Sequence, residues 1–191
     1  MFTFEYIAVT DSNSCQRSLP QQIPHLANCK IPPTALILRA KNLNSKDYYS
    51  LALKVLPLCT KYKIKLIIHG NLHTAKSLNI HHLHLPLNLL RILPNDIKSS
   101  LTWLSCSVHS LNEAKEAQSL GATALIAGHI YATSCKANIP PRGINFLQTI
   151  CKSTILPVYA IGGINFDENQ QVELVQAGAI GACIKSAYMY V

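Results

Sequence analysis

Acidic side chains are scarce in this chain. It has four Asp and five Glu among 191 residues, against 17 Lys and Arg, for a formal net charge of +8. The positive excess reflects missing acids more than abundant bases. Charged residues make up only 14% of the chain and apolar residues 49%, which excludes a disordered polyelectrolyte and leaves room for a sizeable core. The bases are scattered, with no long run and no interleaved aromatics, so no nucleic-acid partner is expected. A small anionic ligand suits the charge equally well. Long hydrophobic runs are missing too: none reaches the roughly 18 residues of a membrane span, and no membrane partner is expected. The opening "MFTFEYIAVTDS" has no basic region and no small-residue cleavage site, and reads as a first strand of a cytoplasmic protein. No CxxC pair occurs among the cysteines at 15, 29, 59, 106, 135, 151 and 183. An odd, dispersed set excludes a disulfide framework and a zinc knuckle, and suits small apolar residues in a reducing compartment.

What is present is an alternation of apolar, β-rich runs with helical spacing. Strands are expected over 4–11, 34–41, 65–70, 81–85, 101–110, 123–130, 156–163 and 181–187. Helices are expected over 45–62, with Ser45 as N-cap, over 111–121 with a closing glycine, over 144–153 and over 167–177, besides a short one before residue 81. Eight such units imply an α/β fold, a single (β/α)8 TIM-barrel domain over 1–191. A doubly wound sheet is the alternative, but its GxGxxG fingerprint is absent. The chain ends four residues after Ala187, so the last helix is expected to be missing or nearly so.

In a barrel the chemistry gathers at the C-terminal ends of the strands. Those ends carry Asp11, Arg39, Lys41, His69, Asn71, His84, Ser107, His109, His129, Gly162, Gly163, Lys185 and Ser186. Gly162 and Gly163 in "AIGGI", with Ser186 in "IKSA", suggest a phosphate cradle, because glycine lets backbone N–H groups approach an anion. His129 closes the apolar run "TALIAGHI" and precedes a loop of small hydroxyls and a lysine. Its imidazole is suited to proton transfer near neutral pH. No carboxylate ends the third or fourth strand, where "HGN" and "HLPLN" stand. His81, His82 and His84 lack an evident third ligand, so neither a metal nor any other cofactor is expected. Cys135 has no paired base and reads as inert.

Taken in order, "ILRAK", "SVHSLNEA", "GHIYATSCK", "RGINFL", "PVYAIGGI" and "AGAIGACIKSA" resemble the thiamine-phosphate-synthase superfamily, most closely its TenI branch, the thiazole tautomerases. The resemblance is strongest over 101–187. Synthases of the superfamily carry proline after the glycine in "GPIFPT", and an "NDR"-like segment and "HLGQxD" that handle pyrophosphate and magnesium. This chain has His129, "HGN" and "HLPLN" there, with Ala40 in "ILRAK" where the family usually shows Glu. The resemblance therefore implies an isomerase that converts the exocyclic-alkene tautomer of carboxythiazole phosphate to its aromatic form, with His129 as the acid/base and no cofactor. It implies phosphate contacts from Gly162, Gly163, Ile184, Ser186 and Thr133. Lys136, Arg39 and Lys41 are candidates for the substrate carboxylate, and Ser107 for the pocket wall. A magnesium-dependent thiamine phosphate synthase and a catalytically silent binding or regulatory protein are the alternatives. A homo-oligomer such as a dimer is expected, to cover the groove left by the shortened C-terminus.

Overall fold

The computed structural model describes residues 4–11, 15, 17–133 and 137–191. Strands and helices alternate from β1 (Glu5–Val9) and α1 (Leu19–Asn28) through β2 (Ala35–Leu38), α2 (Ser45–Lys61), β3 (Lys65–His69), α3 (Leu72–Ser77) and β4 (His82–Pro86). They continue with α4 (Leu87–Arg91), α5 (Asn95–Ser100), β5 (Trp103–Val108), α6 (Leu111–Ser119), β6 (Ala124–Gly128), α7 (Gly143–Ser153), β7 (Val158–Ile161), α8 (Glu168–Gln176), β8 (Gly181–Ile184) and α9 (Ser186–Met189). The eight strands close a parallel barrel in chain order, the expected (β/α)8 fold. Except for β4, which is shifted by one residue, each strand is shorter than its apolar run, because residues past the last ladder bond already belong to loops. The last helix is reduced to the single turn α9.

Two compact units emerge from the contacts within the chain, one formed by Met1–Glu5 with Leu85–Cys183 and the other by Tyr6–His84 with Ile184–Val191. In the first, β5, β6, β7 and β8 pair in parallel, with Ser107 opposite Ile126, Ala127 opposite Ala160, and Ala160 opposite Ala182. Leu104, Leu125, Leu147, Ile150 and Leu174 are fully buried here, each side chain contributing about 1.5–3 kcal/mol. The Tyr159 hydroxyl donates to Glu5 Oε2 at 2.7 Å, so this ring's polar end is satisfied inside the core.

In the second unit β1, β2, β3 and β4 pair in parallel, with Val9 opposite Ile37, Ile37 opposite Ile67, and His69 opposite His84. All four residues of β2 are buried, as a strand covered on both faces requires. The N-cap of α2 is Asn44, one residue before the expected Ser45: its Oδ1 accepts from Asp47 N–H at 2.9 Å and its amide donates to Asp47 Oδ2 at 2.7 Å. That reciprocal pair satisfies an orphan amide that Ser45 cannot reach. Buried Gln22 donates to the carbonyls of Tyr188 and Val191, at 2.9 and 3.1 Å, and so ties α9 to α1.

Candidate functional site

In the first unit the strand-end residues surround the loop after β6. His129, the first residue past β6, is 4% exposed, and the Gly128–His129 peptide is cis. The chain then extends the β6–β7 ladder beyond both strands: Ile130 N–H donates to Ile161 O at 3.0 Å and Tyr131 N–H to Gly162 O at 2.9 Å. The far end of the loop returns to the same place. Arg142 N–H donates to His129 O at 2.9 Å and Gly143 N–H to Ile130 O at 3.0 Å. The Tyr131 hydroxyl donates to Glu173 Oε2 at 2.8 Å and holds the loop's start against α8. Thr133 lines an open depression of about 630 Å³ formed by this loop. Lys136, with Ser134 and Cys135, lies outside the described residues.

The double glycine has a packing reason in addition to the one read from its sequence. Gly162 and Gly163 have φ of +108° and +68°. A Cβ on Gly162 would stand 2.8 Å from His129 Cβ and 2.9 Å from His129 Cα, and one on Gly163 would strike the Ala132 carbonyl and Tyr131 Cβ. Close approach of the β6 loop therefore demands glycine here, whatever binds. Gln170 of α8 brackets the turn: its amide donates to Gly163 O at 3.2 Å, and its Oε1 accepts from Asn165 N–H at 2.9 Å. The structure thus brings Gly162 against His129, and Gly163 against Tyr131 and Ala132 of the same loop. Ser107 stands on β5 on the same face as buried Ser105. The backbone N–H of His109 donates to Glu113 Oε2 of α6 at 2.6 Å.

The second unit holds a different set. Thr10 clamps the ends of β1 and β2, its hydroxyl donating to Arg39 O at 2.9 Å and accepting from Arg39 N–H at 2.8 Å. Asp11 and Lys185 form an ion pair at 2.7 Å. Ile184 is buried and Ser186 exposed on the first residue of α9. Arg39, Thr10 and Asp11 line a cavity of about 180 Å³. His69, the last residue of β3, stands opposite His84 in the middle of β4, with ring centroids 5.3 Å apart and planes at 45°. Tyr48, which sequence reasoning did not single out, fixes this corner from α2. Its buried hydroxyl donates to Leu38 O at 2.6 Å and accepts from His69 N–H at 3.1 Å. Its only sequence signal is its place on the inward face of α2, which any core tyrosine shares. Burial first, then the charges of Arg39 and Lys41, lower the His69 imidazole to about 4, so it is neutral at physiological pH.

Eleven of the 17 Lys and Arg residues, but only two of the nine acids, fall in this second unit. Both acids are occupied, Asp11 by Lys185 and Asp47 by Asn44. Asn71, at the end of β3, accepts from Thr74 N–H at 2.9 Å and caps α3. Among the described residues no three His, Cys, Asp or Glu side chains gather as a metal site. Among the described residues the cysteines are buried or half-buried, and burial pushes the Cys59 and Cys106 thiols up to about 12 and Cys151 to about 11. These three are poor nucleophiles at neutral pH.

A family described as thiamine monophosphate synthase matches residues 6–188. The chain is 33% identical over 153 residues to a thiamine-phosphate synthase of Fusobacterium nucleatum, covering 80% of this chain and 73% of that one. It is 32% identical over 162 residues to a thiamine-phosphate synthase of Pyrococcus horikoshii, covering 82% and 74%. A solved thiamine phosphate pyrophosphorylase from Pyrococcus furiosus superposes with a TM-score of 0.80 at 26% identity, over 98% of this chain and 88% of that one. These likenesses correct the expected thiazole tautomerase. Relatives at about this identity over most of the chain are named synthases, so the isomerisation assigned to His129 is withdrawn. No described helix is long and apolar enough to cross a membrane.

Proposed function

The chain belongs to the thiamine monophosphate synthase family, and from that premise we propose that it forms thiamine phosphate by a group transfer that releases pyrophosphate. The ring nitrogen of a phosphorylated thiazole bonds to the methylene carbon of a pyrimidinylmethyl diphosphate. The carbon–oxygen bond to the diphosphate breaks, and its electron pair leaves with pyrophosphate. The observation carrying this reading is the identity to synthases, which runs through four fifths of the chain rather than through one loop.

Each candidate residue takes a role in that transfer. The turn at Gly162 and Gly163 offers backbone N–H groups to a phosphate, with the Thr133 hydroxyl on the neighbouring loop. Ser186, and the backbone following Ile184, are further phosphate donors. Ser107 lines the barrel wall beside β6, and Lys136 adds a cation to the loop. Arg39 and Lys41 neutralise anionic charge, since the substrate carboxylate of the tautomerase reading no longer applies. His129 becomes a positioning residue: its backbone closes the loop and its Cα and Cβ rest on Gly162.

Magnesium, which synthases of the family were expected to hold through an asparagine and aspartates, does not fit these residues. Magnesium takes oxygen ligands in near-octahedral array. His69, His84 and Asn71 offer two imidazoles and an asparagine whose oxygen already caps a helix. No step is therefore routed through a metal.

The test supplies both substrates to the purified chain and follows thiamine phosphate, by thiochrome fluorescence, together with pyrophosphate. One pyrophosphate released per thiamine phosphate is expected. His129→Asn should raise KM for the phosphorylated thiazole severalfold while changing kcat less, as a positioning role requires. Substrate binding without product, in magnesium and in chelator alike, refutes the synthase reading and leaves a binding protein.

A further inference from the structure

The ends of β2, β3 and β4 share one property. They are basic, they carry imidazoles, and among the described residues no carboxylate there is unoccupied. Arg39 follows β2, Lys41 follows it by two residues, and His69 ends β3 opposite His84 in the middle of β4. Among the described residues neither Arg39 nor Lys41 has a carboxylate partner. Both stand close enough to His69 for their charges to oppose its protonation. The corner is also rigid, through the Tyr48 hydroxyl on Leu38 and His69 and the Thr10 hydroxyl on Arg39.

We propose that this corner binds the diphosphate group directly, with Arg39 and Lys41 supplying the neutralising charge that a divalent cation otherwise brings, so that pyrophosphate binding needs no metal. The inference rests on the synthase reading for the identity of the diphosphate. A guanidinium matches phosphate oxygens with a planar fork of donors, and Lys41 adds a point charge. The neutral imidazole of His69 offers an N–H donor, as an imidazole does in either tautomer. The charge excess of the whole unit draws the anion in. A magnesium ion at the same place would meet two cations and no free carboxylate, and imidazole is a poor ligand for so hard an ion.

The test is calorimetric titration of the full chain with inorganic pyrophosphate in excess EDTA, repeated with magnesium. Binding in EDTA, unchanged or weakened by magnesium, is expected. Arg39→Gln and Lys41→Met should each weaken it about tenfold or more. Lys54→Gln removes the same charge from the exposed surface of α2 and should leave it within about twofold. Binding that appears only with magnesium overturns the proposal, as does an equal loss in Lys54→Gln. Failure of the synthase reading looks different: pyrophosphate binds in EDTA, yet no thiamine phosphate forms.

Discussion

Two glycines of the first unit make a matched pair. Gly162 and Gly143 both have positive φ, +108° and +78°. An alanine Cβ at Gly143 meets nothing within 4 Å, whereas at Gly162 it meets the backbone and Cβ of His129 below 3.0 Å. Placing an L-residue at positive φ costs about 1–2 kcal/mol at either position. Overpacking adds about 1–3 kcal/mol at Gly162 alone, because His129 Cα cannot rotate away as a flexible side chain would. The gain from a stiffer unfolded chain is common to both substitutions and cancels between them. Gly162→Ala should therefore be about 1–3 kcal/mol less stable than Gly143→Ala. Urea denaturation of the wild type and both variants measures this, with the m-value checked for constancy. At a slope of about 2 kcal/mol/M the two midpoints would separate by roughly 0.5–1.5 M. Phosphate-ester binding should fall only in Gly162→Ala. Equal costs would refute the claim that close approach of the β6 loop is what demands glycine.

Stability should depend on pH through His69. Its imidazole is held at about 4, against about 6.5 unfolded, so the unfolded chain binds more protons between these values. The contribution, up to about 3 kcal/mol, is then complete above pH 6.5 and lost as pH falls toward 4. His82, lowered by its own burial and by Lys65, acts in the same direction. His69→Asn should flatten the difference between urea midpoints at pH 7 and pH 4.5, and an unchanged difference would remove His69 from the account. Tyr48→Phe deprives Leu38 O and His69 N–H of a partner inside a buried corner and should cost about 2–4 kcal/mol. A loss below about 0.5 kcal/mol, typical of surface substitutions, would mean that other groups satisfy that corner.

The barrel was legible because its strands are buried on both faces and stand out as apolar runs, of which "TALIAGHI" and "KLIIHG" are the clearest. Helix α1 was not legible. Its sequence, "LPQQIPHLAN", spaces Leu19, Ile23 and Leu26 as a helix does but contains Pro20 and Pro24. Pro20 is harmless in the first turn, where its missing N–H would be unpaired anyway, but together the two read as breakers. The short helices α4 and α5 fall below the length at which periodicity shows. At the site, His129 and the double glycine were found at the right strand ends. Their contact was not, because residues 129 and 162 meet only through the pairing of β6 with β7. The histidine of "GHIYATSCK" is a single local departure from the synthase pattern, whereas the similarity to synthases runs over four fifths of the chain and outweighs it.

The crossed hydrogen bonds at the base of the β6 loop, Arg142 to His129 and Gly143 to Ile130, make its stem a closed ring. Closure is settled at the stem, so the intervening residues add little to the cost of holding the ends together. Doubling the length of such a loop adds only about 0.6 kcal/mol. This segment is a natural cassette. Its tip can be exchanged for longer or differently charged sequences while the barrel beneath keeps its register, which makes it the place to redirect ligand preference by grafting.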